Sequence, residues 1–128
     1  MSYSILIVDD SATIRSVIKR SIGMTGIDVG AVHEAANGLE ALEVLGREWV
    51  DIVFADLNMP EMNGVELVER MFEDSMLVST PVVIVSSDHN QRTIDGLKER
   101  GIRAYIKKPF RPENFRDVVG EVLGLKKE

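Results

Sequence analysis

Five residues of this chain stand where apolar runs give way to polar loops, and together they could carry one reaction. Asp9 and Asp10 follow Ile5-Leu6-Ile7-Val8, and Asp56 follows Ile52-Val53-Phe54-Ala55. Ser86 follows Val82-Val83-Ile84-Val85, and Lys108 comes just after Ala104-Tyr105-Ile106. Three carboxylates brought together repel one another and are costly to bury unpaired. A hard divalent cation offsets that repulsion, and oxygen ligands favour Mg²⁺. Lys108 adds a second positive charge and Ser86 a hydroxyl. This set suits phosphoryl transfer, which needs charge stabilisation more than covalent help. A carboxylate can itself be the nucleophile, giving an aspartyl phosphate. Taken singly, each residue has a plainer use. Asp9-Asp10 and Asp56 could turn the chain or cap a helix, Ser86 could be a capping hydroxyl, and Lys108 a solvated surface lysine. The conjunction at the ends of different apolar runs favours the chemical reading.

The surrounding elements must bring these ends together. Ile5–Val8, Ile52–Ala55 and Val82–Val85 are continuous apolar runs of strand length, as expected for strands buried on both faces. Residues 29–36 mix Gly30, His33 and Glu34 with small residues and read as an edge strand, and Ala104–Ile106 as a short fifth strand. Helical periodicity fills the gaps. Ser11 can cap a helix with the stripe Ile14, Val17, Ile18 and Ile22, ended by Thr25-Gly26. Asn37 with Glu40 opens a second, whose buried side is expected to be Leu39, Leu42 and Leu45. Asn63 with Glu66 opens a third, with Val65, Val68 and Phe72 inward. A fourth, from about Asn90 to Arg100, has only Ile94 and Leu97 as large apolar residues and is stopped by Gly101. Pro112 suits the first turn of a fifth, striped by Phe115, Val118, Val119, Val122 and Leu123. Five strands alternating with five helices predict an α/β three-layer sandwich around a parallel sheet. Strand order 2-1-3-4-5, the flavodoxin-like arrangement, keeps the continuous apolar strands central. All carboxyl ends then lie on one side.

Composition bounds the alternatives. The 128 residues are 45% apolar and 28% charged, which fits one globular domain over residues 1–128. A net charge of −6 argues against a nucleic-acid binder that relies on phosphate neutralisation. There is no cysteine, hence no disulfide framework and no cysteine-based zinc site. His33 and His89 are far apart and read as surface residues, and the methionines as core filler. The first apolar run is too short for a signal peptide and no run approaches a membrane span, so a soluble cytoplasmic protein is expected.

The motifs Leu6-Ile7-Val8-Asp9-Asp10-Ser11, Asp56-Leu57-Asn58-Met59-Pro60-Glu61-Met62-Asn63-Gly64, Val85-Ser86-Ser87 and Lys108-Pro109-Phe110 span nearly the whole chain. Together they resemble a response-regulator receiver domain, of the stand-alone chemotaxis (CheY-like) type. The resemblance implies that Asp56 is the phosphoacceptor in a two-component system. It implies that Asp10, Asp56 and the backbone carbonyl of Asn58 hold Mg²⁺, with Asp9 acting through the metal's water shell. It further implies that Lys108 contacts the phosphoryl oxygens, that Ser86 and Tyr105 form the switch, and that the Lys108–Pro109 bond is cis. Its implied partners are a sensor histidine kinase or histidine phosphotransfer protein upstream and a target protein downstream. The target is expected to read the face made by the fourth helix, fifth strand and fifth helix. Such a chain is a phosphoacceptor rather than an enzyme. Ser86 stands where threonine is commoner, and Ser87 where a small apolar residue is common, so Ser87 could compete for the phosphoryl group. Arg111, just before the last helix, is a weaker cap than the position usually carries.

Three other readings are open to the residues. One is a phosphorelay intermediate that passes the phosphoryl group to another histidine. Another is a Mg²⁺-dependent phosphatase with an aspartyl nucleophile, but its second acid two residues on is here Asn58. The last is a flavin or nucleotide module, but Asp9-Asp10 after the first strand would repel a phosphate.

Overall fold

The computed structural model describes residues 2–124. Strands and helices alternate without exception: β1 (Tyr3–Val8), α1 (Ala12–Gly23), β2 (Val29–Ala35), α2 (Gly38–Arg47), β3 (Ile52–Ala55), α3 (Gly64–Glu73), β4 (Val82–Ser86), α4 (Gln91–Glu99), β5 (Ala104–Lys107) and α5 (Pro112–Val122). The sheet is parallel throughout in the order β2-β1-β3-β4-β5. The flavodoxin-like order expected from the sequence is therefore the one observed.

Alternation along each central strand builds two cores. Leu6, Val8, Val53, Ala55, Val82 and Ile84 face α2, α3 and α4. Ile5, Ile7, Ile52, Phe54, Val83 and Val85 face α1 and α5, where Phe115 meets Phe54 with ring centroids 5.6 Å apart. Strands covered on both faces have no polar side, which explains why these runs read as uninterrupted apolar stretches. β2 and β5 are the edges, and β2 is largely open to solvent.

Helix caps follow the sequence closely, while helix faces depart from it. The side chains of Ser11, Asn37, Asn63 and Asn90 each accept a hydrogen bond from the first turn of their helix. Arg111 makes no side-chain cap, and Asn114 instead accepts from the Arg111 amide at 2.7 Å. In α2 the expected Leu39 is 45% exposed, and the buried residues are Gly38, Ala41, Val44 and Leu45. Gly38 explains this. A Cβ there would lie 2.6 Å from the Met62 side chain, so glycine allows the helix to press this face against Met62, turning Leu39 outward. In α3 the inward residues are Gly64, Leu67, Val68 and Met71, with Val65 and Phe72 on the flank. Gly64 sets that rotation, because a Cβ would fall 2.2 Å from the Asp56 carbonyl oxygen. In α1, Ile18 and Ile22 are buried but Val17 is 36% exposed. That helix ends at Gly23, capped by Met24, rather than at Thr25-Gly26. α4 is anchored by Ile94 and Leu97, as the sequence indicated.

Candidate functional site

The carboxyl ends of β1, β3, β4 and β5 deliver the site. β1 ends at Val8, so Asp9 and Asp10 start the loop to α1. The Asp9 amide donates to the Ala35 carbonyl at 3.0 Å, extending the ladder with β2 by one residue. Asp9 is buried, and its Oδ1 accepts from the Ser11 amide at 2.9 Å. Asp56 follows β3, and its amide donates to the Val8 carbonyl at 2.9 Å, which locks the two acid-bearing strand ends together. The Leu57 amide donates to Asp56 Oδ1 at 2.8 Å and fixes the carboxylate plane. Asp10 is the exposed member. Among the described residues, Asp9, Asp10 and Asp56 form the one group of acids and histidines whose ligand atoms all lie within 4.8 Å of one another.

Lys108 enters from beyond β5. Its amide donates to the Ser86 carbonyl at 2.8 Å, and the bond to Pro109 is cis, as the resemblance implied. Its Nζ lies 3.0 Å from Asp9 Oδ2 and 3.6 Å from Asp56 Oδ2. One ammonium thus faces two buried carboxylates, with a third at the rim. Burial pushes the Asp56 carboxyl above its ordinary value. Lys108 opposes this, the Asp9 charge adds to it, and the Leu57 amide again opposes it, leaving a net rise. Three carboxylates against one ammonium leave an excess of negative charge within reach of a single ion. An all-oxygen donor set with that excess fits a hard divalent cation such as Mg²⁺.

Ser86 is the last residue of β4 and fully buried, and its Oγ accepts from the Asp88 amide at 3.2 Å. Ser87 points the other way, exposed, into a hollow with Ile14, Val17, Lys108, Pro109 and Phe110. The alternation of a strand end separates the two hydroxyls. Tyr105 is paired with Ile84 across β4 and β5, and its hydroxyl donates to the Asp88 carbonyl. Burial raises its pKa, the Ser86 hydroxyl opposes the rise, and the charges of Asp88 and Asp56 add to it. The ring is therefore folded back on the β4–α4 loop, within the electrostatic reach of Asp56. Asn58 is exposed two residues past Asp56.

Sequence reasoning missed two residues here. Arg15 donates from Nη1 to the Asp9 carbonyl at 2.6 Å and pairs through Nε with Glu34 at 2.9 Å. His89 Nε2 lies 2.9 Å from the Lys108 carbonyl. A carbonyl only accepts, so the ring carries its proton on Nε2. Both contacts end on backbone carbonyls, for which no residue pattern is diagnostic.

The profile of the response regulator receiver domain matches residues 5–120. The chain belongs to the response-regulator receiver family. A chemotaxis protein CheY homolog of Campylobacter jejuni is 36% identical over 121 residues, covering 94% of this chain and 92% of its own length. Chemotaxis protein CheY1 of Helicobacter pylori is 34% identical, covering 94% and 96%. The solved structure of the chemotaxis response regulator CheY4 of Vibrio cholerae matches with a TM-score of 0.84 at 29% identity, over 95% of this chain and 99% of that one. This is thus a receiver of the CheY type, built for signalling. No described helix is long and apolar enough to cross a membrane.

Proposed function

We propose that the chain works as one receiver domain in the cytoplasm, taking a phosphoryl group onto Asp56 from a phosphohistidine of a sensor kinase or histidine phosphotransfer protein. The observation that carries this is Lys108 Nζ between Asp9 Oδ2 and Asp56 Oδ2, over a cluster of three carboxylates. Asp56 attacks phosphorus, the P–N bond breaks, and its electron pair returns to the imidazole. The product is an acyl phosphate. Asp9, Asp10 and Asp56, with the Asn58 carbonyl, would hold Mg²⁺, which when bound supplies positive charge to the transferring phosphoryl oxygens. Lys108 neutralises a further oxygen. The Leu57 amide keeps the attacking carboxylate in one plane.

The new phosphoryl group is an acceptor that draws in a donor hydroxyl. Ser86, fully buried on the neighbouring strand, is that donor, and Tyr105 answers on β5. The response is read on the face of α4, β5 and α5 by a target protein. The similarity to chemotaxis proteins supports a target in chemotaxis.

Asp56→Asn should abolish labelling by acetyl phosphate with Mg²⁺ while leaving the circular dichroism spectrum unchanged. Labelling at the wild-type rate would place the acceptor elsewhere. Ser86→Ala should still be labelled but should weaken phosphorylation-dependent binding to the target, and undiminished binding would remove Ser86 from the switch.

A further inference from the structure

Arg15 makes two contacts that its ion pair alone does not explain. The pair with Glu34 is half open, with the two side chains 17% and 40% exposed. Pairs of that kind contribute little to stability. The second contact, from Nη1 to the Asp9 carbonyl at 2.6 Å, is a short charge-assisted hydrogen bond to the main chain six residues back. That carbonyl belongs to the peptide joining Asp9 to Asp10. A peptide is planar, so holding its oxygen fixes the plane from which the Asp10 Cα leaves. Every other polar group of Asp9 is already held: the amide by the Ala35 carbonyl, Oδ1 by the Ser11 amide, and Oδ2 by Lys108. Asp10 is exposed, and the peptide plane is what carries the order of Asp9 over to it.

We propose that Arg15, braced by Glu34, is the positioning residue that aims the Asp10 carboxylate into one cation site with Asp9 and Asp56. The proposal rests on the reading of Asp9, Asp10 and Asp56 as a Mg²⁺ site. Arginine suits the task because its planar fork reaches both a carbonyl and a carboxylate in fixed geometry, which a lysine cannot do. Glu34 has an electrostatic part as well. A bare guanidinium beside the acidic loop would lower the negative potential that attracts the metal, and the Glu34 charge offsets it. The brace therefore orders the loop without competing for its site. Glu34 lies on β2 opposite Ile7, so the edge strand contributes to the site without supplying a ligand.

The test compares wild type with Arg15→Ala, Arg15→Lys and Glu34→Gln by two readouts. The first uses metal-free protein and amide exchange. Arg15→Ala should speed exchange at Asp9 and Ser11 while leaving β3 amides at the wild-type rate. The second is Mg²⁺ titration by calorimetry. Arg15→Ala should raise the dissociation constant roughly tenfold, in the range for residues that orient metal ligands. Labelling by acetyl phosphate should recover to the wild-type rate once Mg²⁺ is saturating, because Asp56 and Lys108 are untouched. Arg15→Lys should fall between wild type and Arg15→Ala. Glu34→Gln should keep the slow exchange at Ser11 and still weaken Mg²⁺ binding, less so at high salt. Unchanged exchange at Ser11 in Arg15→Ala would overturn the proposal. So would faster exchange throughout β3, which would make Arg15 a general structural brace. Should the wild type bind no Mg²⁺, the reading of the metal site would fail, and the exchange arm would still decide whether Arg15 orders the acidic loop.

Discussion

Asp56 sits between two opposing influences, and the balance has a pH signature. Burial and the Asp9 charge together raise its carboxyl pKa more than Lys108 and the Leu57 amide lower it, so the native state holds this proton more tightly than the unfolded chain does. From the ordinary value of 3.8 upward to the raised native value, the native state binds the greater number of protons. Stability contributed by this group therefore falls as pH rises through that window, and the deficit persists at neutral pH. Asp56→Asn removes the ionisation. In metal-free protein it should raise the melting temperature at pH 7, and the gain should shrink to nothing below pH 3.8. A variant less stable than wild type at pH 7 would show that the Lys108 interaction outweighs burial. The gathering of the three acids, Ser86 and Lys108 at one end of the sheet was legible because each follows an apolar run. Arg15 and His89 were not, because their partners are carbonyls 6 and 19 residues away in sequence.

At the scale of elements, what the sequence conveyed well was which stretches are helix or strand, and where they begin. It conveyed the helix faces poorly where glycine and alanine do the packing. Reading α2 from its leucines put Leu39 inside, whereas Gly38 and Ala41 make the close approach and the leucine is left outside. Small residues carry little hydrophobic signal, yet they decide how closely a helix can lie. α4 poses the converse case. Ile94 and Leu97 are its only buried residues, and Gly96 between them weakens the helix itself. A Cβ at Gly96 would meet only the Arg100 guanidinium, at an ordinary 3.7 Å. Gly96→Ala should therefore fit and stabilise the protein by about 0.5–1 kcal/mol. An element held by two anchors can take two arrangements separated by a small free energy, as a switch requires. On the proposed reading, beryllofluoride at Asp56 should change amide exchange over residues 90–106, and strengthening one arrangement should reduce that change. An equally large response in Gly96→Ala would mean that α4 propensity does not set the switch.

The site belongs to the molecule as a whole, because no single element holds it. Asp9 and Asp10 follow β1, Asp56 follows β3 and Lys108 follows β5, and whole helices and strands separate them in sequence. In the unfolded chain Asp56 and Lys108 lie far from the adjacent pair Asp9-Asp10, so the crowding of all three carboxylates is a property of the native state. The chain already carries a net charge of −6, which adds to that repulsion. A cation that binds the assembled cluster then stabilises the entire fold by mass action. At a concentration one hundred times its dissociation constant, the effect is about 2.7 kcal/mol. Millimolar Mg²⁺ should accordingly raise the melting temperature. It should also slow exchange of the most protected β1 and β3 amides, which open only by global unfolding, by a matching free energy. Asp10→Ala should remove most of this response. It should also make the metal-free protein more stable than wild type, because a like-charge contact is lost. If Mg²⁺ slows exchange only in the loops after β1 and β3 and leaves the β-core amides unaffected, the cation binds an already loosened loop rather than the folded sheet. The carboxylate cluster would then not be the point at which metal binding and folding are coupled.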